Sequence, residues 1–148
     1  MALESHGVQF FWSTATGGTC ATSATLAVGE INSFTGPAGG AAIIDITHLR
    51  STAKEKLQGL PDEGNFTIEC NLTTLFTAAT GAVGGLRRNR LERKMGSFKL
   101  KTSTAVVGGD PVKVAGVGYA TTLTPSGSVD DKLSLSITIE ITGKTTWS

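Results

Sequence analysis

From Lys132 to Thr142 the chain reads KLSLSITIEIT, and this alternation constrains the fold more than any other stretch. Leu133, Leu135, Ile137, Ile139 and Ile141 fall on one side of an extended strand, and Lys132, Ser134, Ser136, Thr138, Glu140 and Thr142 on the other, because side chains alternate faces along a strand. Burying a large aliphatic contributes about 1.5–3 kcal/mol, while fixing each backbone residue costs about 1–2 kcal/mol. Such a strand is not stable alone. It needs a sheet beside it and an apolar layer against one face.

Other segments supply that sheet. Val8–Trp12 reads as a short strand, Thr25–Ile31 begins another, and Ala42, Ile44 and Ile46 alternate with Ile43, Asp45 and Thr47. In Asn65–Leu72 the pattern places Phe66, Ile68, Cys70 and Leu72 inward. Phe98–Thr102 and the long Val112–Leu123, interrupted by Gly116 and Gly118, complete the set. The GPAGG run at 36–40, Gly108–Pro111 and Pro125–Asp131 carry turn chemistry. Ser51–Leu57 predicts a helix behind an N-cap and ahead of Gly59 and Pro61. Leu72–Thr80 predicts another, and Leu86–Met95 a third, basic one. The fold class expected is mainly β: an antiparallel sandwich or open barrel of six or seven strands with one or two short helices packed on it. Residues 1–24 read as an N-terminal strand or arm and 25–148 as the β domain, 148 residues being one domain's length.

Functional chemistry is sparse. No GxSxG elbow, phosphate-binding glycine loop or dinucleotide fingerprint is present. His6 and His48 lie far apart and no CxxC or HxxxH spacing supports a metal, so neither metal nor other cofactor is expected, and no catalytic residue. Asp62-Glu63 and Asp130-Asp131 sit in turns, where solvation accounts for them. No apolar stretch reaches the roughly 18 residues of a membrane helix, and the N-terminus lacks a secretory pattern, so Cys20 and Cys70 are expected as free thiols made in a cytoplasm. Charge is the exception. Between Arg87 and Lys101 seven cationic residues meet only Glu92, a balance of +6, and a whole-chain charge of +1 leaves −5 elsewhere. This run either binds phosphates or forms a solvated or subunit-contacting face.

Two stretches together resemble the tail tube proteins of long-tailed bacteriophages and related phage-derived particles. One is Glu30–Asn71, with its IDITHLRSTAKE segment (Ile44–Glu55) and GLPDEG turn (Gly59–Gly64). The other is Asp130–Trp147, with a closing strand and a TGKTTW tail. The Arg-rich run is more basic than that pattern. The resemblance implies a non-enzymatic subunit of stacked hexameric rings, assembled in a bacterial host and located in the virion tail. Its partners would be itself, a tape-measure protein and DNA in the bore, and tail terminator and baseplate or distal tail proteins at the ends. A tube of a contractile injection or type VI-like system, and a nucleic-acid-binding β-domain using residues 87–101, are the alternatives.

The segment at about 45–64 is too polar and too long for a tight hairpin. By resemblance it reaches neighbouring subunits through Asp45, Thr47, His48, Leu49, Arg50, Ser51, Thr52, Lys54, Leu60, Pro61 and Asp62. DNA sliding past fixed cations would be retarded at every ring. The small polar face of Ser134, Ser136, Thr138 and Glu140 therefore suits a lining, and Arg87, Arg88, Arg90, Arg93 and Lys94 belong on the exterior or between subunits.

Overall fold

The computed structural model describes residues 7–14, 30–72, 82–102 and 111–148, with no side-chain description at 82–84. Among them are eight strands and one helix: β1 (Gln9–Ser13), β2 (Glu30–Thr35), β3 (Gly40–Asp45), β4 (Lys56–Asp62), β5 (Asn65–Asn71), α1 (Ala82–Glu92), β6 (Gly96–Lys101), β7 (Lys113–Ser126) and β8 (Ser134–Trp147). Six form one antiparallel sheet in the order β1-β6-β7-β8-β5-β2, and β3 and β4 pair as a separate ribbon. Of the two expected architectures, the open barrel holds. The sheet is curled into a half-barrel rather than split into a sandwich.

Four strand spacings separate β1 from β5, about 19 Å across a flat sheet. Yet the rings of Phe10 on β1 and Phe66 on β5 stack with centroids 5.8 Å apart. Phe98 and Phe34 join them at 5.9 and 6.1 Å from Phe66. The curl folds one face inward over Phe10, Trp12, Phe66, Ile68, Phe98, Leu100, Leu135, Ile137, Ile139 and Ile141, all buried. Leu133, expected with them, stands before β8 and is exposed, because the β7–β8 connection with Asp130 in a left-handed conformation occupies 127–133.

β7 and β8 run fourteen residues each, with register shifts between Ala115 and Val117 and between Ala120 and Thr122. Bulges of this kind increase local twist and bend the ladder. Gly118 has no room for a side chain: a Cβ there would collide with the Glu140 carbonyl of β8. Pro125, read as a turn residue, lies inside β7.

α1 packs against β1 and β7 through buried Leu86 and Asn89, on the Trp12 side of the sheet. Gly84 and Gly85, poor helix formers, lie within it. A Cβ at Gly85 would stand 3.0 Å from the Thr14 Cγ2, so the glycine permits close approach to β1. The helix ends with Arg93 at φ 55°, Arg93 N–H on the Arg90 carbonyl and Lys94 N–H on that of Asn89, a Schellman-type closure.

The helix expected at Ser51–Leu57 is absent. Lys56 and Leu57 instead pair with Asp45 and Ile44 across the ribbon. A window of seven residues is too short to hold a helix by propensity, and pairing with β3 satisfies its backbone. The expected helix at 72–80 and the Gly108–Asp110 turn lie outside the described residues, as do 15–29 and Cys20.

Gly118→Ala is expected to lower stability by about 1–3 kcal/mol through overpacking against β8, read from chemical unfolding. Cys70 is a buried free thiol, and burial pushes its pKa from 9.0 up to about 11. A raised folded-state pKa leaves stability intact below pH 9 and removes it as pH rises toward 11. Unfolding curves across that window should fall less steeply in Cys70→Val than in the native chain.

Candidate functional site

A two-stranded ribbon is marginal in water without a supporting layer. β3 and β4 have none among the described residues, yet they carry large aliphatics on both faces. Ile44 pairs with Leu57 on one face and Ile43 with Gln58 on the other. Ile43 is 61% exposed, Ile44 49%, Ile46 48%, Leu57 54% and Leu60 94%. Leu49 at the tip is fully exposed. Apolar surface held out on an arm in this way makes the ribbon the candidate interaction site.

The arm's tip is braced by its own sequence. The Thr47 amide donates to the Asp45 carboxylate at 2.9 Å, and the Thr47 hydroxyl accepts from the Glu55 amide at 3.0 Å. Ile46 N–H reaches the Glu55 carbonyl at 3.0 Å. Thr47's hydroxyl and amide hold the Asp45 carboxyl below its usual range. Farther out, Ser51 Oγ lies 2.9 Å from His48 Nδ1, which also accepts the Arg50 amide at 3.2 Å. Polar members of the IDITHLRSTAKE segment thus close a ten-residue connection, 46–55, between the strands. Leu60, Pro61 and Asp62 lie instead at the root of the ribbon, where Ala41 pairs with Pro61 and the register shifts before Ile43. Thr52 and Lys54 occupy the exposed return of the tip.

Opposite the phenylalanine stack, no described element covers the other face of the six-stranded sheet. Ser134, Ser136, Thr138 and Glu140 form one row of it, aligned with Asn71, Glu69, Thr67 and Asn65 of β5. Across β7 the row continues into Ser126, Thr124, Thr122 and Tyr119. Glu30, on β2 opposite Asn71, adds a carboxylate. On the β1–β6–β7 side the face changes sign, because Gln9, Lys101 and Lys113 align there, as do Phe11, Lys99 and Ala115.

The basic run is therefore not one surface. Arg87, Arg88, Arg90, Arg93 and Lys94 are exposed on α1 and its closing turn, on the core side of the sheet. Lys99 and Lys101 point to the opposite face, since the alternating Phe98 and Leu100 face the core. Helix termination at Arg93 and strand periodicity after Gly96 separate the two sets. The Arg90 Nε donates to the Thr121 carbonyl at 3.1 Å, tying the helix to β7. Lys94 lies 2.9 Å from Glu92 and Arg88 3.9 Å, and the Lys94 bond holds the Glu92 carboxyl below its usual range. No group of three or more His, Cys, Asp or Glu able to hold a metal occurs among the described residues.

No family model matches the chain, and no curated protein matches it. Solved structures do. The PVC sheath/tube terminator of an extracellular contractile injection system superposes at TM-score 0.67 and 11% identity, covering 100% of this chain and 97% of that one. The SPP1 tail tube matches at TM-score 0.61 and 10% identity over 99% of this chain and 79% of that one. A chain from the tail of an empty GTA particle matches at 0.60 and 14% identity over 82% and 84%. The chain thus has the fold of tail tube and tube-terminator proteins.

Thr47→Val removes both hydroxyl contacts to Glu55. At about 1 kcal/mol per hydrogen bond, amide exchange at Glu55 should accelerate by about tenfold while the unfolding midpoint of the curled sheet stays unchanged.

Proposed function

We propose that this chain is a structural, non-enzymatic subunit of a virion tail tube, assembling into hexameric rings that stack around a genome-conducting bore. The observation that carries the reading is the ribbon, whose aliphatics are exposed on both faces of an arm with no supporting layer among the described residues. The tube-type fold of the half-barrel supports it. Among the described residues the open curled sheet leaves the outer edges of β1 and β2 without a partner strand, and identical neighbours in a ring remove such edges.

In this reading Asp45–Asp62 engages adjacent subunits. The arm inserts between copies, and its two apolar faces are both covered. The row of Ser134, Ser136, Thr138 and Glu140 faces the bore together with Glu69 and Glu30, a neutral-to-acidic stripe along β8 and β5, while Lys99, Lys101 and Lys113 lie on the same face toward β1. DNA would be held least where it passes the stripe. Arg87, Arg88, Arg90, Arg93 and Lys94 face outward or toward a neighbour, since α1 stands on the other side of the sheet. The tape-measure protein would occupy the bore before DNA, and terminator and baseplate proteins would close the ends. Assembly would take place in a bacterial host cytoplasm.

A second reading has a specific observation behind it. The sheath-tube complex of the same injection system superposes at TM-score 0.68, above the SPP1 tail tube at 0.61. The same ring would then conduct a protein cargo.

Concentrated protein is expected to form sixfold tubes by electron microscopy. Ile44→Asp should abolish them, holding the chain monomeric in sedimentation without moving its unfolding midpoint. A chain that stays monomeric at high concentration and binds DNA with a steep salt dependence would instead be a nucleic-acid-binding domain.

A further inference from the structure

The root of the ribbon holds a recess of about 240 Å³, lined by Pro37, Ala41, Pro61, Asp62, Glu63 and Trp147 among others. Small-molecule sites usually span about 300–1,000 Å³, so this one has the scale of a side-chain socket. Its walls are tied together. The Thr145 hydroxyl donates to Glu63 Oε2 at 3.0 Å and accepts from Trp147 Nε1 at 3.2 Å. Trp147 is nevertheless 62% exposed, an aromatic held in place with its surface open. Pro37, Pro61 and the Trp147 indole supply apolar lining, and Asp62 and Glu63 supply acidic lining.

At the far end of the same ribbon stands the complementary shape. Leu49 projects fully into solvent between His48 and Arg50, on a tip braced by its own hydrogen bonds. With about 3.3 Å of rise per strand residue, knob and socket of one copy are on the order of 20 Å apart along a paired ribbon. They do not meet within a chain.

We infer that the tip of one copy docks in the root of the next, Leu49 seating against Trp147 and Pro61 while Arg50 faces Asp62 and Glu63. The occupant is a second copy of this chain, because the apolar knob with its cationic flank and the socket with its apolar and acidic lining are carried by the same chain. A knob and socket at opposite ends of one element make a heterologous contact, which repeats without using itself up. The inference rests on the tube reading and adds to it the specific partner residues of the arm.

A photoreactive residue placed at position 49, in assembled mixtures of isotope-labelled and unlabelled chains, is expected to crosslink between copies to the Asp62–Glu63 or Trp147 peptides. Crosslinks confined to other peptides would overturn the docking while leaving tube formation standing. Arg50→Glu and Glu63→Lys should each raise the concentration needed for assembly by about tenfold or more, and the double variant should recover it. Arg50→Glu assembling at the native concentration would also overturn the docking. Absence of any oligomer in the native chain would remove both this inference and the tube reading.

Discussion

The structure depends on the curl that brings Phe10 and Phe66 into contact. Strands four places apart in a sheet have no backbone reason to approach. The stacked rings of Phe10, Phe66 and Phe98, joined by Phe34, supply the apolar contact that makes a bent sheet better than a flat one. The shifts in β7 let the ladder bend, and Gly118 lets β7 and β8 approach as it does. With one face consumed by this closure, the other is left free to be polar. The division between a buried aromatic interior and an open hydroxyl-rich surface follows from the bend.

Much of this was legible in the chain. The alternations in β5 and β8 identify which residues face inward, because period two has a single structural meaning when one face is apolar. Leu133 misled because alternation continues into a connection that is no longer strand. Ala53–Leu57 misled for a different reason: helix formers express a weak local preference that a neighbouring strand overrides. Gly85 sits in α1 at a cost of about 1 kcal/mol in propensity, and the Thr14 methyl and Trp12 ring beside it account for the choice. The strand order, with β1 beside β6 and β2 beside β5, joins residues too far apart in sequence for any local pattern to indicate.

The candidate site was legible in a different sense. The IDITHLRSTAKE segment stands out by resemblance, but its chemistry becomes clear only when Asp45, Thr47 and Glu55 are seen to brace a tip. The basic run from Arg87 to Lys101 looked like one charged surface because charge was counted along the chain. A helix end and a strand's two faces distribute it to opposite sides of the sheet. The polar row on β8 extends across β7 and β5 for the same reason, register rather than sequence proximity.

Pro61 within β4 has a consequence for the free subunit. A bare two-stranded ribbon with aliphatics on both faces is a template for amyloid-like stacking. Proline offers no amide to an incoming strand, and the irregular register before Ile43 further spoils the straight edge that a fibril requires. In the proposed assembly the arm would stay sticky through its side chains while its backbone discourages runaway pairing, so that unassembled chains would stay dispersed until a correctly shaped surface receives them.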